Sequence, residues 1–170
     1  DGLAVREILK YPNVESVTLV DLDPAMTRLF ASAPALVALN QGALNSSRVT
    51  VVNADAAQWL AENREYFDFV VVDFPDPANF ALGKLYTSAF YRLLEKRLSA
   101  NGRLVVQSTS PFYARQTFWC VVATLEAAGF KAAPYHVQVP SFGEWGYIIA
   151  GRQEFVSAAV DPKKTRFLTS

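Results

Sequence analysis

The sequence has 170 residues, of which 51% are hydrophobic and 19% charged, with 16 basic and 16 acidic side chains. This composition excludes a disordered chain and indicates a globular domain large enough to bury a core. The balanced charge argues against nucleic acid as a partner, because nucleic-acid binders usually carry an excess of basic residues. No apolar stretch has the length of a membrane span, and no signal-peptide pattern opens the chain. We therefore expect a soluble domain in a reducing compartment.

The chain contains one cysteine and one histidine. Cys120 lies in an apolar helical pattern, so we expect a buried thiol, and a single cysteine excludes an internal disulfide. His136 lies in a predicted strand without cysteine or histidine at ligand spacing, which favours a structural role. The sequence therefore predicts no metal site.

The first third of the chain alternates helix and strand patterns. Residues 2–10 place apolar side chains on one side of a helix, and residues 17–20 form a strand. Asp23 before Pro24 predicts a helix start, because the aspartate can cap the helix and proline suits its first position. Residues 32–44 are a more ambiguous, alanine-rich helical stretch. Another strand is predicted over residues 48–52, followed by a helix.

Residues 68–77, D-F-V-V-V-D-F-P-D-P, form the stretch around which the chain is organised. A run of aromatic and β-branched residues is typical of a strand covered on both faces, so we expect residues 69–72 to form an interior strand. Pro75 and Pro77 donate no backbone hydrogen bond and fix φ, so they end the strand and stiffen the loop that follows.

The second half continues the alternation. A loop through Gly83 leads to a predicted helix over residues 88–98, which ends near Asn101 and Gly102, and then to a strand over residues 104–106. A further helix has apolar side chains at i, i+3, i+4 and i+7 spacing. It opens at Ser110 and Pro111, closes at Gly129, and its apolar side chains are Phe118, Val121, Val122 and Leu125.

Residues 134–140 and 145–151 predict two strands of an antiparallel hairpin. The whole pattern predicts an α/β fold with a mostly parallel sheet that ends in this hairpin. No repeat or linker divides the chain. We expect one domain over residues 1–155 and a loosely packed or truncated tail over residues 156–170.

Acidic residues stand where the predicted strands end. Asp73 and Asp76 lie on the proline-flanked loop, Asp21 follows the strand over residues 17–20, and Asp55 follows the strand over residues 48–52. Ligands of open α/β sheets bind at the carboxyl ends of the strands. An edge lined with carboxylates suits a ligand rich in hydroxyl and amino groups.

Each of these acids has a structural alternative. Asp73 and Asp76 could be solvated turn residues. Asp21 lies 20 residues after Asp1, about the separation at which nucleotide-binding units place a carboxylate on ribose. It could instead cap a helix, although Asp23 suits that position better. Asp55 could accept a hydrogen bond from an adenine amino group or could equally cap the helix that follows it.

Five segments together resemble a known family. They are residues 1–2 (D-G), 17–23 (V-T-L-V-D-L-D), 54–56 (A-D-A), 73–77 (D-F-P-D-P) and 85–91 (L-Y-T-S-A-F-Y). In order and spacing they resemble the spermidine synthase family of polyamine aminopropyltransferases, over most of residues 1–151. Residues 139–146, V-P-S-F-G-E-W-G, resemble its membrane-associated bacterial branch.

The resemblance implies a Rossmann-like, methyltransferase-type fold. It also implies aminopropyl transfer from decarboxylated S-adenosylmethionine to a polyamine such as putrescine, giving spermidine and methylthioadenosine, without a metal or other cofactor. The residues implied are Asp1, Asp21, Asp55 and Ala56 for the donor, Asp73 as the catalytic base beside the attacking amine, and Asp76 for the acceptor.

The sequence departs from the family pattern at four positions. Ala54 and Ala56 replace the glycines usual around the adenine-binding acid, and Asp21 replaces the commoner glutamate. Phe142 stands where soluble members often carry a substrate-binding tyrosine, which bears on diamine recognition.

Two other functions fit part of the pattern. A methyltransferase on the same fold would use similar ribose and adenine acids, and a noncatalytic domain could bind a nucleoside or polyamine without turnover. The paired acids Asp73 and Asp76 favour aminopropyl transfer, because carboxylates attract the cationic donor and acceptor.

The resemblance also predicts that the chain is a fragment. It opens inside what resembles a G-G-G-D-G loop, so the preceding mid-sheet strand and the glycines are expected to be missing, and the far end resembles a segment that continues. We expect low donor affinity, little or no activity, and a gap closed by direct pairing of the flanking strands or by a segment of another copy in a homo-oligomer. The parent protein is expected to be anchored in a bacterial membrane, with this domain in the cytoplasm.

Overall fold

The computed structural model describes residues 1–77, 79–141 and 143–155. Phe142 and the predicted tail, residues 156–170, lie outside the described residues. The chain divides into two compact units, residues 1–64 and a second that begins at Glu65, and each has its own sheet. The prediction that residues 1–155 form one domain stays a prediction. Within the described ranges, the helices are all too short or too polar to cross a membrane.

The first unit alternates helices with two parallel strands. Its elements are α1 (Leu3–Ile8), β1 (Val17–Asp21), α2 (Pro24–Ser32), α3 (Pro34–Asn40), β2 (Val49–Asn53) and α4 (Ala56–Glu62). β1 and β2 pair in register, so that Asp21 lies opposite Asn53. The ambiguous stretch over residues 32–44 is broken because Ala33, which precedes Pro34, is extended.

Asn40 holds the start of the first unit to its helices. Its side chain is fully buried, and its Nδ2 donates to the carbonyl oxygens of Asp1 at 3.1 Å and Phe30 at 3.0 Å. Its Oδ1 accepts from the Gly42 amide at 3.0 Å. All three hydrogen bonds satisfy polar groups that would otherwise be costly to bury, so this asparagine fixes the backbone on which Asp1 lies.

In its described residues, the second unit contains a four-stranded sheet and three α-helices. Its elements are β3 (Phe67–Val72), α5 (Phe80–Gly83), α6 (Ser88–Arg97), β4 (Leu98–Ser108), α7 (Arg115–Ala127), β5 (Lys131–Val139) and β6 (Gly143–Gly151). The strand order is β3-β4-β6-β5. β3 and β4 are parallel, whereas β4 with β6 and β5 with β6 are antiparallel. The α/β fold and its C-terminal hairpin are therefore confirmed.

β3 lies at one end of this sheet, so the prediction that residues 69–72 form an interior strand is wrong. In the described part of the chain, the pairing partner of β3 is β4. Phe69 is 54% exposed and Val71 is 40% exposed, whereas Val72 is buried. An apolar run in the sequence indicates that a segment forms a strand, but it does not indicate whether that strand pairs with one neighbour or with two.

Two predicted boundaries moved. β4 begins at Leu98, directly after α6, so Asn101 and Gly102 lie within a strand and do not end a helix. Gly102 is required by close packing, since a Cβ there would lie 2.7 Å from Leu98 Cγ. α7 begins at Arg115 and not at Ser110, because the Ser110 hydroxyl accepts from the Phe112 amide at 3.3 Å in a turn that precedes the helix.

α5 replaces part of the predicted loop through Gly83. The Asn79 side chain caps this four-residue helix by accepting from the Leu82 amide at 3.0 Å. Cys120 is exposed on α7, so the prediction of a buried thiol is wrong. His136 lies in β5 as predicted, and its Nδ1 lies 2.6 Å from Glu144 Oε2 of β6.

One face of the four-stranded sheet forms the core of the second unit. Leu104, Val106, Ile148 and Ala150 are 0–1% exposed on this face. The predicted apolar side chains of α7 are its buried residues, which confirms that helical pattern. A Cβ at Gly146 would lie 2.5 Å from the Phe118 ring, so α7 packs directly on the backbone of β6. The other face of the sheet carries more polar and aromatic side chains.

Arg152 fastens the end of β6 to the junction of α6 and β4. Its guanidinium donates to the Glu95 carboxylate at 2.7 Å. It also donates to the backbone carbonyl oxygens of Leu98 at 2.7 Å, Ser99 at 2.8 Å and Glu95 at 2.6 Å. The Glu95 carbonyl lies in the last turn of α6, where it also accepts from the Leu98 amide, and the carbonyls of Leu98 and Ser99 follow the helix.

Candidate active site

The loop after β3 carries two carboxylates of different exposure. Asp73 directly follows Val72, is exposed, and has no hydrogen-bond or ion-pair partner among the described residues. Asp76 is half-buried, and its Oδ1 is buried without a hydrogen-bond partner in the described ranges. A buried carboxylate oxygen without a donor is costly, so a cationic ligand that donates to it would be favoured.

Tyr86 fixes the backbone of this loop through its hydroxyl group. Its hydroxyl donates to the carbonyl oxygens of Phe74 at 3.1 Å and Pro75 at 3.2 Å. The side chain is 8% exposed, and burial, followed by the charges of Asp76 and Asp73, raises the pKa of the phenol well above its usual range. Tyr86 therefore stays protonated and remains a hydrogen-bond donor to the loop.

Gln107 of β4, supported by Trp145 of β6, also forms a hydrogen bond to the backbone of this loop. In the orientation that satisfies both ends of its amide, Gln107 donates to the Phe74 carbonyl oxygen at 2.7 Å and accepts from Trp145 Nε1 at 2.6 Å. The Phe74 carbonyl thus accepts from two side chains, Tyr86 and Gln107. These contacts fix the backbone between Asp73 and Asp76 more firmly than the prolines alone.

An aromatic pair lies on the same sheet face as Gln107. Tyr147 of β6 pairs with Gln107 of β4, and Tyr135 of β5 pairs with Tyr147. The rings of Tyr135 and Tyr147 stack with centroids 5.5 Å apart and an interplanar angle of 21°. Burial and then the charge of Asp73 raise the pKa of Tyr147 above its usual value.

The predicted donor-binding acids lie in the first unit. The Ala54 amide donates to the Asp21 carbonyl at 3.1 Å, so Asp21 and the segment leading to Asp55 share one edge of the two-stranded sheet. The Asp21 carboxylate accepts from the Asp23 amide at 2.9 Å. Asp23 caps α2 by accepting from the Ala25 amide at 2.8 Å, which confirms that Asp23, and not Asp21, is the helix cap.

Asp55 is the cap of α4, and Ala56 is the first residue of this helix. One carboxylate oxygen of Asp55 accepts from the amides of Ala57 at 2.9 Å and Gln58 at 3.2 Å. The structural alternative for Asp55 is therefore present, and contacts of Asp55 and Ala56 with a donor stay predictions. Asp1 is exposed and accepts from the Leu3 amide at 3.0 Å, at the start of α1.

Four residues around the acidic loop were not predicted from sequence to have a site function: Tyr86, Gln107, Trp145 and Tyr147. Tyr86 and Trp145 lie inside segments that carried the resemblance, but their contacts are with backbone and side chains distant in sequence. Gln107 carried a signal, since it is a polar residue at the carboxyl end of an apolar strand. Within the described ranges, no group of three or more histidine, cysteine, aspartate or glutamate side chains could hold a metal ion.

Comparison with protein families gives one match over nearly the whole chain. The family model described as "Spermine/spermidine synthase domain" matches residues 1–162. Polyamine aminopropyltransferase 2 of Ralstonia nicotianae is 58% identical over 170 residues, which cover 99% of this chain and 33% of that protein. Polyamine aminopropyltransferase of Leptospira interrogans is 53% identical over 168 residues, which cover 99% of this chain and 34% of that protein. The chain thus spans about one third of the length of these relatives.

Two solved structures share the fold. Spermidine synthase from Thermotoga maritima superposes with a TM-score of 0.77 at 22% identity, over 97% of this chain and 53% of that chain. A spermidine synthase in complex with the transition-state analogue AdoDATO superposes with a TM-score of 0.75 at 22% identity, over 89% of this chain and 50% of that chain. At this identity the likeness establishes the fold, which is the predicted Rossmann-like, methyltransferase-type fold.

Proposed function

The chain belongs to the spermine/spermidine synthase family, and from this premise we propose that the protein transfers an aminopropyl group from decarboxylated S-adenosylmethionine to a polyamine acceptor such as putrescine. The observation that carries the proposal is the pair of carboxylates on the loop after β3, whose backbone is held by Tyr86 and Gln107. Among the described residues, Asp73 has no hydrogen-bond partner, and neither has the buried Oδ1 of Asp76. The names of the relatives support the same reaction.

The reaction breaks one bond and forms one bond. The amine nitrogen of the acceptor attacks the methylene carbon beside the sulfonium, and the carbon–sulfur bond breaks as the carbon–nitrogen bond forms. Sulfur keeps the electron pair of the broken bond and leaves in neutral methylthioadenosine. The nitrogen must give up a proton to become a nucleophile, so a base within hydrogen-bond reach of the amine is needed.

Asp73 is the proposed base. It directly follows β3 and is exposed, so a bound amine can reach its carboxylate. Asp76 is the proposed anchor of the acceptor, because an ammonium group could donate to its unpartnered Oδ1. The fixed loop backbone helps to align the amine with the carbon that it attacks, and alignment of two bound reactants supplies much of the acceleration in such reactions.

Asp1, Asp21, Asp55 and Ala56 are the proposed donor-binding residues. The Asp21 carboxylate would accept from ribose hydroxyls, and Asp55 with Ala56 would bind adenine. The donor carries a sulfonium and an ammonium, whereas ordinary S-adenosylmethionine also carries a carboxylate that acidic side chains would repel. We propose no metal or other cofactor for the reaction.

One comparison of ligands separates this function from its two alternatives. We expect the whole protein to form methylthioadenosine from the decarboxylated donor and putrescine, and to bind that donor more tightly than S-adenosylmethionine. Methyl transfer from S-adenosylmethionine would instead identify a methyltransferase. Binding of methylthioadenosine or polyamine without turnover would identify a noncatalytic domain, and either result would overturn the proposal.

We also propose that the domain lies in the cytoplasm and that its parent protein is anchored in the bacterial membrane as a homo-oligomer. The length of the relatives, about three times that of this chain, leaves room for further segments in those proteins. Cell fractionation followed by crosslinking in membranes tests the location and the assembly together.

A further inference from the structure

Three paired side chains cross the sheet of the second unit in one row, and Asp73 lies beside this row, just after the end of β3. Val72, the last residue of β3, pairs with Val106 of β4, so Asp73 lies directly after the end of β3 and Gln107 directly after Val106. Gln107 pairs with Tyr147, which in turn pairs with Tyr135. Side chains of directly paired residues lie on the same face of a sheet. We call these three side chains and Asp73 together the aromatic row.

The aromatic row lies on the sheet face opposite the core. Ile148 and Ala150, which alternate with Tyr147 along β6, are fully buried on the α7 side. On the face of the row, Tyr135 is 42% exposed and Val137, the next residue of β5 on this face, is 42% exposed. Neighbouring strands are about 4.8 Å apart, so the row extends for roughly 14 Å from the line of Asp73 to the line of Tyr135.

The two ends of the row differ in chemistry. Asp73 provides a negative charge at the edge of the sheet, and the stacked rings of Tyr147 and Tyr135 provide an uncharged aromatic surface at the far end. Ring faces attract organic cations, and a carboxylate attracts ammonium groups. The charge of Asp73 also raises the pKa of Tyr147, after the larger effect of burial.

We propose that Tyr147 and Tyr135 form a subsite for the distal ammonium group of a linear polyamine whose reacting end lies at Asp73. The subsite would favour an acceptor with three or more amino groups over a diamine, because a diamine held at Asp73 and Asp76 leaves the aromatic pair without a cation. This inference rests on the proposed function, since it extends the same acceptor site along the sheet.

Three substitutions in the whole protein test the subsite. Tyr135→Leu removes one ring of the pair, and Tyr135→Phe keeps the ring while removing the hydroxyl. Tyr11→Leu is the matched control, because Tyr11 is 48% exposed and lies between α1 and β1, outside the row. For each protein, calorimetry measures binding of a diamine, a triamine and methylthioadenosine, and kinetics measures KM and kcat with both amines.

We expect Tyr135→Leu to lower the preference for triamine over diamine by about 5-fold, in both binding and KM, because one cation–aromatic contact is lost. Tyr135→Phe and Tyr11→Leu should retain the wild-type preference. An unchanged preference in Tyr135→Leu would overturn the subsite, and so would weaker binding of methylthioadenosine, which would indicate that the pair stacks on the nucleoside. If no protein turns over, the proposed function fails, but the binding data still decide whether the subsite exists.

Discussion

The hydroxyl of Tyr86 lies 3.1 Å from the carbonyl oxygen of Phe74, which directly follows Asp73 in the acidic loop, residues 73–77. The same hydroxyl donates to the Pro75 carbonyl, and Gln107 reaches the Phe74 carbonyl from the sheet. The position of Asp73 and Asp76 is therefore set by uncharged donors that do not compete with a cationic ligand for the carboxylates.

Tyr86→Phe should loosen this loop. We expect kcat to fall about 10-fold with a smaller change in donor binding. A loosened loop misaligns the reacting groups in the transition state, whereas the proposed donor-binding residues are left unchanged. Stability should fall by about 1 kcal/mol for the lost hydrogen bonds. Steady-state kinetics and urea denaturation measure both effects. Tyr113→Phe, at a side chain that is 89% exposed, is the control and should change neither.

Asp73→Asn should remove the proposed base while preserving its shape. We expect turnover to fall by about 10²-fold or more, with methylthioadenosine binding retained, since the amide cannot take the proton. Asp68→Asn is the control at the opposite end of β3, where the exposed Asp68 carboxylate accepts from the Ser99 hydroxyl at 2.8 Å. Turnover of the Asp73→Asn protein at the wild-type rate would refute the assignment.

Asp21→Asn should weaken the nucleoside donor. Asparagine can still accept from the Asp23 amide, so the turn after β1 is preserved while the charge on the proposed ribose ligand is lost. We expect the dissociation constant of methylthioadenosine to rise about 10-fold in calorimetry. Asp23→Asn removes the same charge two residues away and keeps the helix cap. If both substitutions weakened methylthioadenosine binding equally, the effect would come from the loss of negative charge in this region and not from a contact of Asp21 with the ribose.

Tyr91 should limit stability at alkaline pH. Its side chain is fully buried, its hydroxyl has no hydrogen-bond partner among the described residues, and burial raises its pKa far above the usual value. Below about pH 10 the phenol is protonated in both the folded and the unfolded state, so it adds no pH dependence. At higher pH the unfolded chain ionises first, and the free energy of unfolding falls.

Tyr91→Phe should therefore weaken the alkaline loss of stability. At neutral pH we expect it to be neutral or to stabilise the protein by up to about 1 kcal/mol, since it removes a buried hydroxyl without a partner in the described part of the chain. Thermal melts at a series of pH values up to about 11, beyond the usual tyrosine pKa, make the measurement. If Tyr91→Phe lowered stability at neutral pH by more than it gained at alkaline pH, the hydroxyl would have a partner that stabilises it.

Gly146→Ala should disturb the packing of α7 on β6. The new Cβ would lie 2.5 Å from the Phe118 ring and 2.6 Å from the Thr109 carbonyl oxygen. Such overpacking typically costs about 1–3 kcal/mol, which chemical denaturation can resolve. Gly83→Ala is the control, because among the described residues no heavy atom beyond its chain neighbours and its own helix backbone lies within 4 Å of its Cβ position. A Gly146→Ala protein as stable as wild type would show that the helix can shift.

Local patterns predicted the secondary structure well where the physics is local. The cap at Asp23, the helical spacing of Phe118 to Leu125, and the hairpin after Gly129 all depend on residues close in sequence. The position of β3 at the end of its sheet could not be predicted in this way, because strand order depends on pairing between distant segments. The exposure of Cys120 was missed for a related reason, since α7 buries a narrower face than its apolar composition indicated.

The candidate site was predicted in part. The acids at the strand ends lie where the patterns placed them, in the loop after β3 and at the edge shared by β1 and β2. The clamp made by Tyr86 and Gln107 was not predicted, because it acts on the carbonyl oxygens of Phe74 and Pro75. Every residue type has a backbone carbonyl, so a sequence gives no sign of which carbonyls receive side-chain donors.

The contacts of Arg152 join two segments that are 57 residues apart in sequence. Its guanidinium donates to the carbonyl oxygens of Glu95 and Leu98, so β6 cannot open from its Arg152 end without breaking these hydrogen bonds to the last turn of α6 and the start of β4. The helix and the final strand must therefore open together. We therefore expect hydrogen exchange to show the end of β6 and the last turn of α6 opening as one cooperative unit, which β4 connects to the loop after β3.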